Sequence, residues 1–413
     1  IIMAYTETTT TSYGGRLSRS LKGIVGGLIA FIAGTALLFW NEGNYVKTYK
    51  ALNEAQDATI AVDSVAERDP ALNGKVIHAS ARAETEDILR DPAFDVSVNA
   101  ISLQRSVEYY QYEERSSTTT RDKIGGGEEK VTTYTYSADW QSEPINSSEF
   151  KDPKYQGSNF TLYQVQDQEQ FAKNVSFGAY SLPDFFIESI PANEPVDVTL
   201  GEENQRKLEE AIRQHPRGPR LPEDTNAVAP AVVHVQANTV YLGENPSAPK
   251  VGDLRITFSS AQPQDVSIIG KVNGSTFGRY VAKSGKAISR LETGIVSAEE
   301  MFAHAQAENT FLTWILRLVG VVLVCVGLRG IFGILEAIAK VLPFLGDIVG
   351  VGVSLVTGII GLAWSLLWIA IAWLTYRPLI GVPLLVAAVA LVIWLKKKAP
   401  KAPSSTPPPA AIT

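Results

Sequence analysis

Residue types that could carry catalysis are few in this sequence of 413 residues. Serine and lysine stand in the S-x-x-K spacing of some serine acyl-transfer enzymes twice, at Ser148/Lys151 and at Ser247/Lys250. Both matches lie in loop-like sequence next to prolines, and the companion motifs of those enzymes are absent. The spacing alone therefore predicts no serine nucleophile.

The other chemically versatile residues do not form a motif either. The four histidines stand far apart in the sequence: His78, His215, His234 and His304. There is no zinc-protease helix motif, no nucleophile elbow and no phosphate-binding loop, and the single cysteine is Cys325. We therefore predict no catalytic residue, no metal site and no cofactor. A ligand-binding or enzymatic domain remains an alternative, which would require histidines and acidic residues to converge in a pocket.

Two tyrosine-rich runs have the period-two alternation of β-strands. They read "SVEYYQYEERSS" (106–117) and "VTTYTYSADW" (131–140), and "IGGGEEK" between them supplies glycines for a turn. We predict a long hairpin that carries four candidate interface residues: Tyr110, Tyr112, Tyr134 and Tyr136. Tyrosine packs well on a pleated surface, so a half-buried strand pair would explain them. A partner-binding edge or face of a sheet is the other interpretation.

Four long apolar runs dominate the rest of the chain. They cover residues 23–40, 311–328, 348–374 and 378–395. A helix needs about 20 apolar residues to cross a bilayer core of roughly 30 Å, so each run predicts a transmembrane helix. Only the second run holds a charge, Arg317, which we expect to snorkel to the headgroups.

The placement of basic residues predicts the orientation of these helices. Arg16, Arg19 and Lys22 precede the first run, and four lysines follow the last: Lys396, Lys397, Lys398 and Lys401. Positive residues favour the cytoplasmic side, so we expect both termini there. The predicted fold class is a multi-pass membrane protein, with an α+β extracytoplasmic domain (43–310) inserted between the first and second of four transmembrane helices. The chain has a net charge of −6 although its ends are basic, so this domain is acidic, which disfavours nucleic acid as a partner.

Three short segments complete the domain organisation. Residues 1–22, rich in threonine and serine, and the basic proline-rich tail 396–413 are predicted to be disordered and cytoplasmic. Residues 329–347 are predicted to form an amphipathic cytoplasmic link. This link would lie on the membrane surface or pack as a plain connector on the helices.

Small residues recur every four positions in two of the apolar segments. The candidates for helix packing are Gly23, Gly26, Gly27, Ala30 and Gly34 in the first run, and Gly346 and Gly350 at the start of the third. Such stripes allow two helices to approach closely, although glycine is also simply tolerated in lipid.

Several stretches resemble one known family. "NEGNYVKT", "SVEYYQYEE", "TYSADWQSEPINSSEF", "ENPSAPKVGDLRITF" and "SAEEMF" follow the order found in the transmembrane protein 43 family, also called LUMA. The resemblance runs almost end to end and is weak around residues 150–235. The proline-rich tail and the middle of the domain depart from the animal pattern, which points to a bacterial or distant relative.

The resemblance implies a function as well as a topology. It implies one N-terminal span, a large lumenal domain, three C-terminal spans, and a self-associating scaffold that organises the membrane or partner membrane proteins. The alternative is a channel. We expect the chain to bind itself and the lipid bilayer, in the endoplasmic reticulum or inner nuclear membrane if eukaryotic and in the inner (plasma) membrane if bacterial. Emerin and lamins would be partners only in a eukaryote, where Asn146, Asn159, Asn174 and Asn273 could carry glycans.

Overall fold

A short strand and a long helix begin the described chain, strands fill most of its middle, and two long helices follow. The structure is a computed structural model that describes residues 4–219, 231–383 and 386. Its helices are α1 Tyr13–Ala58, α2 Asp184–Ile187, α3 Glu202–Gln214, α4 Ala298–Ala339 and α5 Pro343–Tyr376. Together with the strands given below, they confirm the predicted α+β composition.

The described residues divide into two compact units. The α+β unit contains the chain up to Arg16, together with Tyr49–Glu308 and Lys340–Pro343. The helical unit contains Leu17–Thr48, Asn309–Ala339 and the residues from Phe344 onward. Most of the α+β unit, Tyr49–Glu308, lies in the chain between the apolar parts of α1 and α4, and two short segments join it. Insertion of a domain between two spanning helices stays a prediction.

Among the residues that the structure describes, three helices are long and apolar enough to cross a membrane: α1, α4 and α5. Helices α1 and α4 have 46 and 42 residues, so each extends well beyond the length that a bilayer core requires. The fourth predicted span, 378–395, is helical over 378–383, and its remainder lies almost wholly outside the described residues. The predicted tail 396–413 also lies outside them.

The predicted amphipathic link 329–347 is not a separate element. Helix α4 continues to Ala339 and α5 begins at Pro343, so only residues 340–342 connect the two helices. Proline is favoured at the first position of a helix, where its missing N–H has no intrahelical partner. The helical periodicity of the link is therefore real, but it belongs to the last turns of α4 and the first turn of α5.

An eight-stranded sheet, here called the long sheet, contains the tyrosine-rich runs. Its strands are β1 Ala4–Thr11, β6 Ser102–Asp122, β7 Glu128–Gln141, β8 Gln168–Phe171, β11 Glu194–Pro195, β12 Val233–Gln236, β13 Thr239–Leu242 and β14 Leu254–Ala261. The main order is β1-β7-β6-β14-β13-β12, with β8 paired to β6 and β11 paired to β14. All pairings in this sheet are antiparallel.

Strand β1 corrects the prediction that residues 1–22 are disordered. It pairs with β7 from Ala4↔Thr135 to Thr11↔Glu128, and α1 begins two residues later at Tyr13. The threonine-rich composition was interpreted as a disordered tail. Threonine is also a favourable strand residue, and β7 offers a free edge on which it can pair.

A second sheet of seven strands and two short ribbons complete the α+β unit. The second sheet contains β2 Thr59–Ala61, β3 Val76–Glu84, β9 Ser176–Phe177, β10 Tyr180–Ser181, β15 Gln264–Asn273, β16 Thr276–Gly278 and β19 Arg290–Thr293. The ribbons pair β4 Ile88–Asp91 with β5 Val96–Asn99, and β17 Tyr280–Val281 with β18 Ala287–Ile288.

Separate apolar cores support the two sheets. The inner face of the long sheet, including Ile256 and Phe258, packs with Ile212 of α3. The second sheet packs through Ile268 with Phe186 of α2 in another core. Each such side chain contributes roughly 1.5–3 kcal/mol when fully buried. Packing against this core thus buries the inner face of the long sheet. The opposite, outer face carries the tyrosines and charged side chains described next.

Candidate functional site

The β6–β7 hairpin is the central feature of the candidate site. Its strands pair without a break from Tyr109↔Gln141 to Asp122↔Glu128. Gly125 and Gly126 in the turn have φ angles of 92° and 83°, which side chains with a Cβ rarely adopt. The predicted hairpin and its glycine turn are therefore present.

The four predicted tyrosines share one face of the hairpin, but the chain itself covers most of it. Tyr136 stacks on Tyr155 at 4.2 Å between ring centroids, and Tyr112 meets the same ring edge-on at 4.9 Å. Tyr134 lies 6.2 Å from Tyr5 of β1. Only Tyr110 of the four contacts none of these covering segments, because its ring packs on Trp140 of the neighbouring strand.

Tyr136 has an internal structural role. Its hydroxyl donates to the Glu114 carboxylate at 2.6 Å and accepts from the backbone N–H of Asp152 at 2.8 Å. Burial and the hydrogen bond to Glu114 raise the pKa of Tyr136 to about 12. A phenol held in this way stays protonated at neutral pH and secures the loop that follows β7.

A row of polar and aromatic side chains crosses the outer face of the long sheet. Cross-strand pairs run from His234 to Tyr241, then to Arg255 and to Glu108. The Arg255 guanidinium lies 2.6 Å from the Glu108 carboxylate and 4.6 Å from the centre of the Trp140 ring. These residues form the sheet-face patch, which consists of Glu108, Tyr110, Trp140, His234, Tyr241 and Arg255.

A buried hydrogen bond anchors the sheet-face patch. The Tyr241 hydroxyl donates to Asp253 at 2.5 Å, and Asp253 also accepts from the backbone N–H of Lys250 at 2.8 Å. Burial raises the pKa of both Tyr241 and Asp253. Trp140 and Arg255 stay partly exposed above this anchor, so the patch presents rigid side chains to its surroundings.

An ion cluster holds the tip of the hairpin. The Asp122 carboxylate binds the guanidinium of Arg16 at 2.6 Å and the ammonium of Lys340 at 3.0 Å, and Glu128 lies 3.7 Å from Arg16. These four side chains are at most 14 % exposed. The cluster joins the start of α1, the hairpin tip and the turn between α4 and α5.

The Asp122 carboxylate is stabilised in its charged form. Burial raises its pKa, but hydrogen bonds from Lys340 and Arg16 outweigh burial, and the net pKa falls below the ordinary value of 3.8. This stabilisation is complete above that value and is lost as the pH falls through the lowered pKa. The cluster is therefore intact at neutral pH.

The ion cluster does not test the predicted extracytoplasmic placement of residues 43–310, because its four residues all belong to the α+β unit. That placement stays a prediction.

Within the helical unit, glycines bring α1 and α4 into close contact. A Cβ at Gly27 would lie 2.6 Å from the Gly327 carbonyl oxygen, and one at Gly34 would lie 2.9 Å from that of Gly320. A Cβ at Gly23 would be 3.9 Å from Gly330, whereas Gly26 has no heavy atom within 4 Å of that position. The contact between α1 and α4 therefore runs through Gly27 and Gly34. Ala30 is only half-buried.

The two predicted glycines near the start of the third apolar run are also buried. Gly346 and Gly350 are buried, and a Cβ at Gly350 would lie 2.8 Å from the Glu336 carboxyl carbon. Glu336 is paired with Arg329 on α4. In this segment a glycine makes room for a carboxylate of the neighbouring helix.

Arg317 does not snorkel as the sequence suggested. Its guanidinium binds the Glu42 carboxylate at 2.6 and 2.9 Å, and the Trp373 indole N–H donates to the same carboxylate at 2.8 Å. Glu42 is completely buried. No sequence pattern points to this site, because Glu42 stands two residues after the first apolar run and its partner lies on α4, far away in the sequence.

The histidines do not converge in the described part of the chain. His78 and His234 contact backbone carbonyls, His215 stacks on Phe160, and His304 contacts Glu292. Among the described residues, no group of three or more His, Cys, Asp or Glu side chains could hold a metal ion. A cleft of about 380 Å³ beside β6 contains His215, with tyrosine and amide side chains around it.

Comparison with known proteins identifies the family. The family model of transmembrane protein 43 matches residues 109–378. The chain belongs to the transmembrane protein 43 family. Human transmembrane protein 43 is 30 % identical over 388 residues, covering 91 % of this chain and 90 % of the relative. The mouse protein is 30 % identical over 376 residues (88 % and 87 %), and the homolog from Drosophila melanogaster is 27 % identical over 377 residues (90 % and 93 %).

Family membership confirms the resemblance seen in the sequence, and the match extends through the weakly similar region 150–235. No solved structure matches this chain. Together with the three apolar helices, the family identifies the chain as an integral membrane protein.

Glycine packing in this family member can be tested with adjacent positions of α1. We expect Gly27→Leu to lower the melting temperature of the purified protein, because the new side chain would collide with the backbone of α4. Gly26→Leu is the matched control and should leave the melting temperature nearly unchanged. Equal effects of the two substitutions would show that α1 does not pack on α4 through this face.

The Glu42–Arg317 pair can be tested with a double-mutant cycle. Glu42→Gln leaves a buried guanidinium without its counter-charge and should cost about 3–5 kcal/mol of stability. Adding Arg317→Gln removes that charge and should recover a large part of the loss. Thermal unfolding of the four proteins measures both effects. Additive losses would mean that the two side chains do not interact.

Proposed function

We propose that this protein is a self-associating membrane scaffold, which organises the membrane or partner membrane proteins through its α+β unit. The sheet-face patch is the observation that carries this proposal. It combines Trp140, Tyr110 and Arg255, the residue types that dominate binding energy in protein interfaces. The strand register and the core on the inner face hold these three side chains together on the outer face of the sheet.

The charges of the patch suit contact between copies of one chain. Glu108 and Arg255 are each a little over one-third exposed, so both signs of charge are available on one surface. In a two-fold contact the same patch meets itself, and an anion of one copy can then face a cation of the other. The aromatic rings of Tyr110 and Trp140 would supply the apolar centre of that contact.

The proposal also includes a location and an absence of catalysis. We place both termini on the cytoplasmic side, because Arg16, Arg19 and Lys22 precede the first apolar run. The membrane is the inner (plasma) membrane of a bacterium, or the endoplasmic reticulum or inner nuclear membrane of a eukaryote. We propose no enzymatic activity, because each histidine is engaged with its own local neighbours.

Self-association can be tested on the full chain with one variant and one control. We expect an oligomer by light scattering in detergent and by crosslinking in native membranes. Trp140→Ala should reduce the oligomer fraction at least tenfold in dilution series, because it removes the largest ring of the patch. Asp139→Ala, on the opposite face of the same strand, should not change it. A monomer in both detergent and native membranes would overturn the proposal.

A channel is the second candidate function, and the polarity of the hairpin favours it. Residues 115–120 of β6 read Arg-Ser-Ser-Thr-Thr-Thr and are all exposed. The ion cluster ties the end of this ribbon to Arg16. Hydroxyl and charged side chains are favourable next to water, and an aqueous path through an oligomer would provide that water.

Ion flux into liposomes tests the second candidate. Purified protein should conduct ions when protein-free liposomes do not. Replacing Thr118 and Thr120 together with leucine should reduce that flux if the ribbon lines the path. Absence of flux above the protein-free control would reject the channel and leave the scaffold unaffected.

A further inference from the structure

Arg377 lies at one end of the helical unit, directly after α5. Its backbone N–H donates to the Trp373 carbonyl at 2.8 Å, so the helical turn continues to this residue. The third apolar run ends at residue 374, which puts the Arg377 backbone about 4.5 Å beyond the apolar segment at 1.5 Å per residue. An arginine side chain at that level reaches the lipid headgroups.

Two aromatic rings hold the Arg377 guanidinium. Its central carbon lies 4.4 Å from the centre of the Tyr45 ring on α1 and 6.0 Å from that of the Trp373 ring on α5. Such contacts attract a cation to the faces of the rings and leave the N–H groups at the edge of the guanidinium for another partner. The Arg377 side chain is partly exposed, so that partner can come from outside the protein.

The described part of the chain gives Arg377 no carboxylate partner. Glu42 lies in the same region, but its carboxylate accepts two hydrogen bonds from Arg317 and one from Trp373. The Arg317 guanidinium lies 6.0 Å from the same Trp373 ring that Arg377 contacts. The charge of Arg317 is therefore balanced by Glu42, whereas the charge of Arg377 calls for an anion from outside.

The charges at this end of the helical unit favour an anionic ligand. Three segments of the unit meet here: 41–48, 309–317 and 373–377. Their charged residues are one acidic residue, Glu42, and three basic ones, Lys47, Arg317 and Arg377. Positive charge next to an apolar core attracts phospholipids with a net negative headgroup. A zwitterionic headgroup carries its own cation, which these arginines repel.

The surface of α5 suits the acyl chains of such a lipid. Exposed apolar side chains cover its membrane-spanning part, among them Ile360, Leu366 and Leu367. A phospholipid can therefore contact apolar side chains and Arg377 at the same time. A soluble anion would contact the arginine alone.

We infer that Arg377, held by Tyr45 and Trp373, binds the phosphate of an anionic phospholipid from the surrounding bilayer. The planar guanidinium donates two N–H groups to two phosphate oxygens, the bidentate geometry that arginine favours with phosphate. The site uses residues of the helical unit only. It goes beyond the proposed scaffold function, and it holds whether or not the chain self-associates.

Lipid retention by the full chain tests the inference. The purified protein in detergent receives phosphatidylglycerol or phosphatidylcholine, and native mass spectrometry measures how much of each stays bound. We expect roughly fivefold better retention of phosphatidylglycerol, and we expect Arg377→Gln to abolish that preference. Lys47→Gln is the matched control, because it removes the same charge from an exposed side chain outside the aromatic pair. Equal losses in the two variants would overturn the site, since general charge would then explain the binding.

Melting temperatures separate a lost site from a damaged fold. Phosphatidylglycerol should raise the melting temperature of the wild type more than phosphatidylcholine does, because a ligand of the folded state stabilises it. Arg377→Gln should remove this difference, and Arg377→Lys, which keeps the charge without the planar fork, should restore only part of it. If Arg377→Gln does not fold, Arg377→Lys carries the test. The same difference in wild type and Arg377→Lys would then overturn the inference.

Inorganic phosphate distinguishes a lipid from a soluble anion. An excess of inorganic phosphate, added at constant ionic strength, should not displace phosphatidylglycerol from the wild type, because it makes no apolar contacts with α5. Displacement would show that the site takes a soluble anion and would overturn the assignment to a lipid.

Discussion

Asp122 and the two cations that bind it join three segments of the α+β unit that are far apart in the sequence. A buried carboxylate costs several kcal/mol unless it is paired, and Arg16 and Lys340 reach it from segments far away in the sequence. The pairing therefore fixes the N-terminal segment and the α4–α5 turn against the hairpin. It also explains why β1 is ordered, because a strand that ends at Thr11 is tied at one end by Arg16 and along its length by β7.

In the helical unit a buried ion pair also joins distant segments of the chain. There, however, the pair accompanies close packing of two helix backbones. Gly27 and Gly34 let α1 approach the backbone of α4 directly, which side chains with a Cβ would prevent. At this short separation Glu42 and Arg317 form two hydrogen bonds to each other. The pair then keeps two charges that would be expensive in lipid, and the indole of Trp373 occupies a remaining lone pair of the carboxylate.

Local patterns predicted local structure well, because their causes lie within a few residues. A local cause of this kind lies at the start of α4, where Ser297 and Glu300 exchange hydrogen bonds with each other's backbone N–H groups at 3.2 Å in a capping box. Alternation predicted the hairpin, and length with apolar composition predicted the three long helices. The order of β1 and the partner of Arg317 depend on residues more than a hundred positions away, so no local pattern could show them. The glycine stripe was predictable only in part. Its spacing showed that α1 can pack closely on another helix, but only the position of α4 shows that Gly27 lies at the contact and Gly26 does not.

The tyrosine-rich hairpin shows why composition could not choose between a structural and a binding role. Its four tyrosines lie on one face, and different segments of the chain cover them: the loop around Tyr155 covers Tyr112 and Tyr136, and β1 covers Tyr134. Three of the tyrosines therefore have a structural role, and only Tyr110 is left for the proposed binding role. At the base of the hairpin, Tyr110 and Trp140 meet Arg255 instead of a covering loop, and the core on the inner face keeps them from turning inward. An interface at this base needs no rearrangement of the chain, whereas an interface along the whole tyrosine stripe would first have to displace β1 and the loop that holds Tyr136.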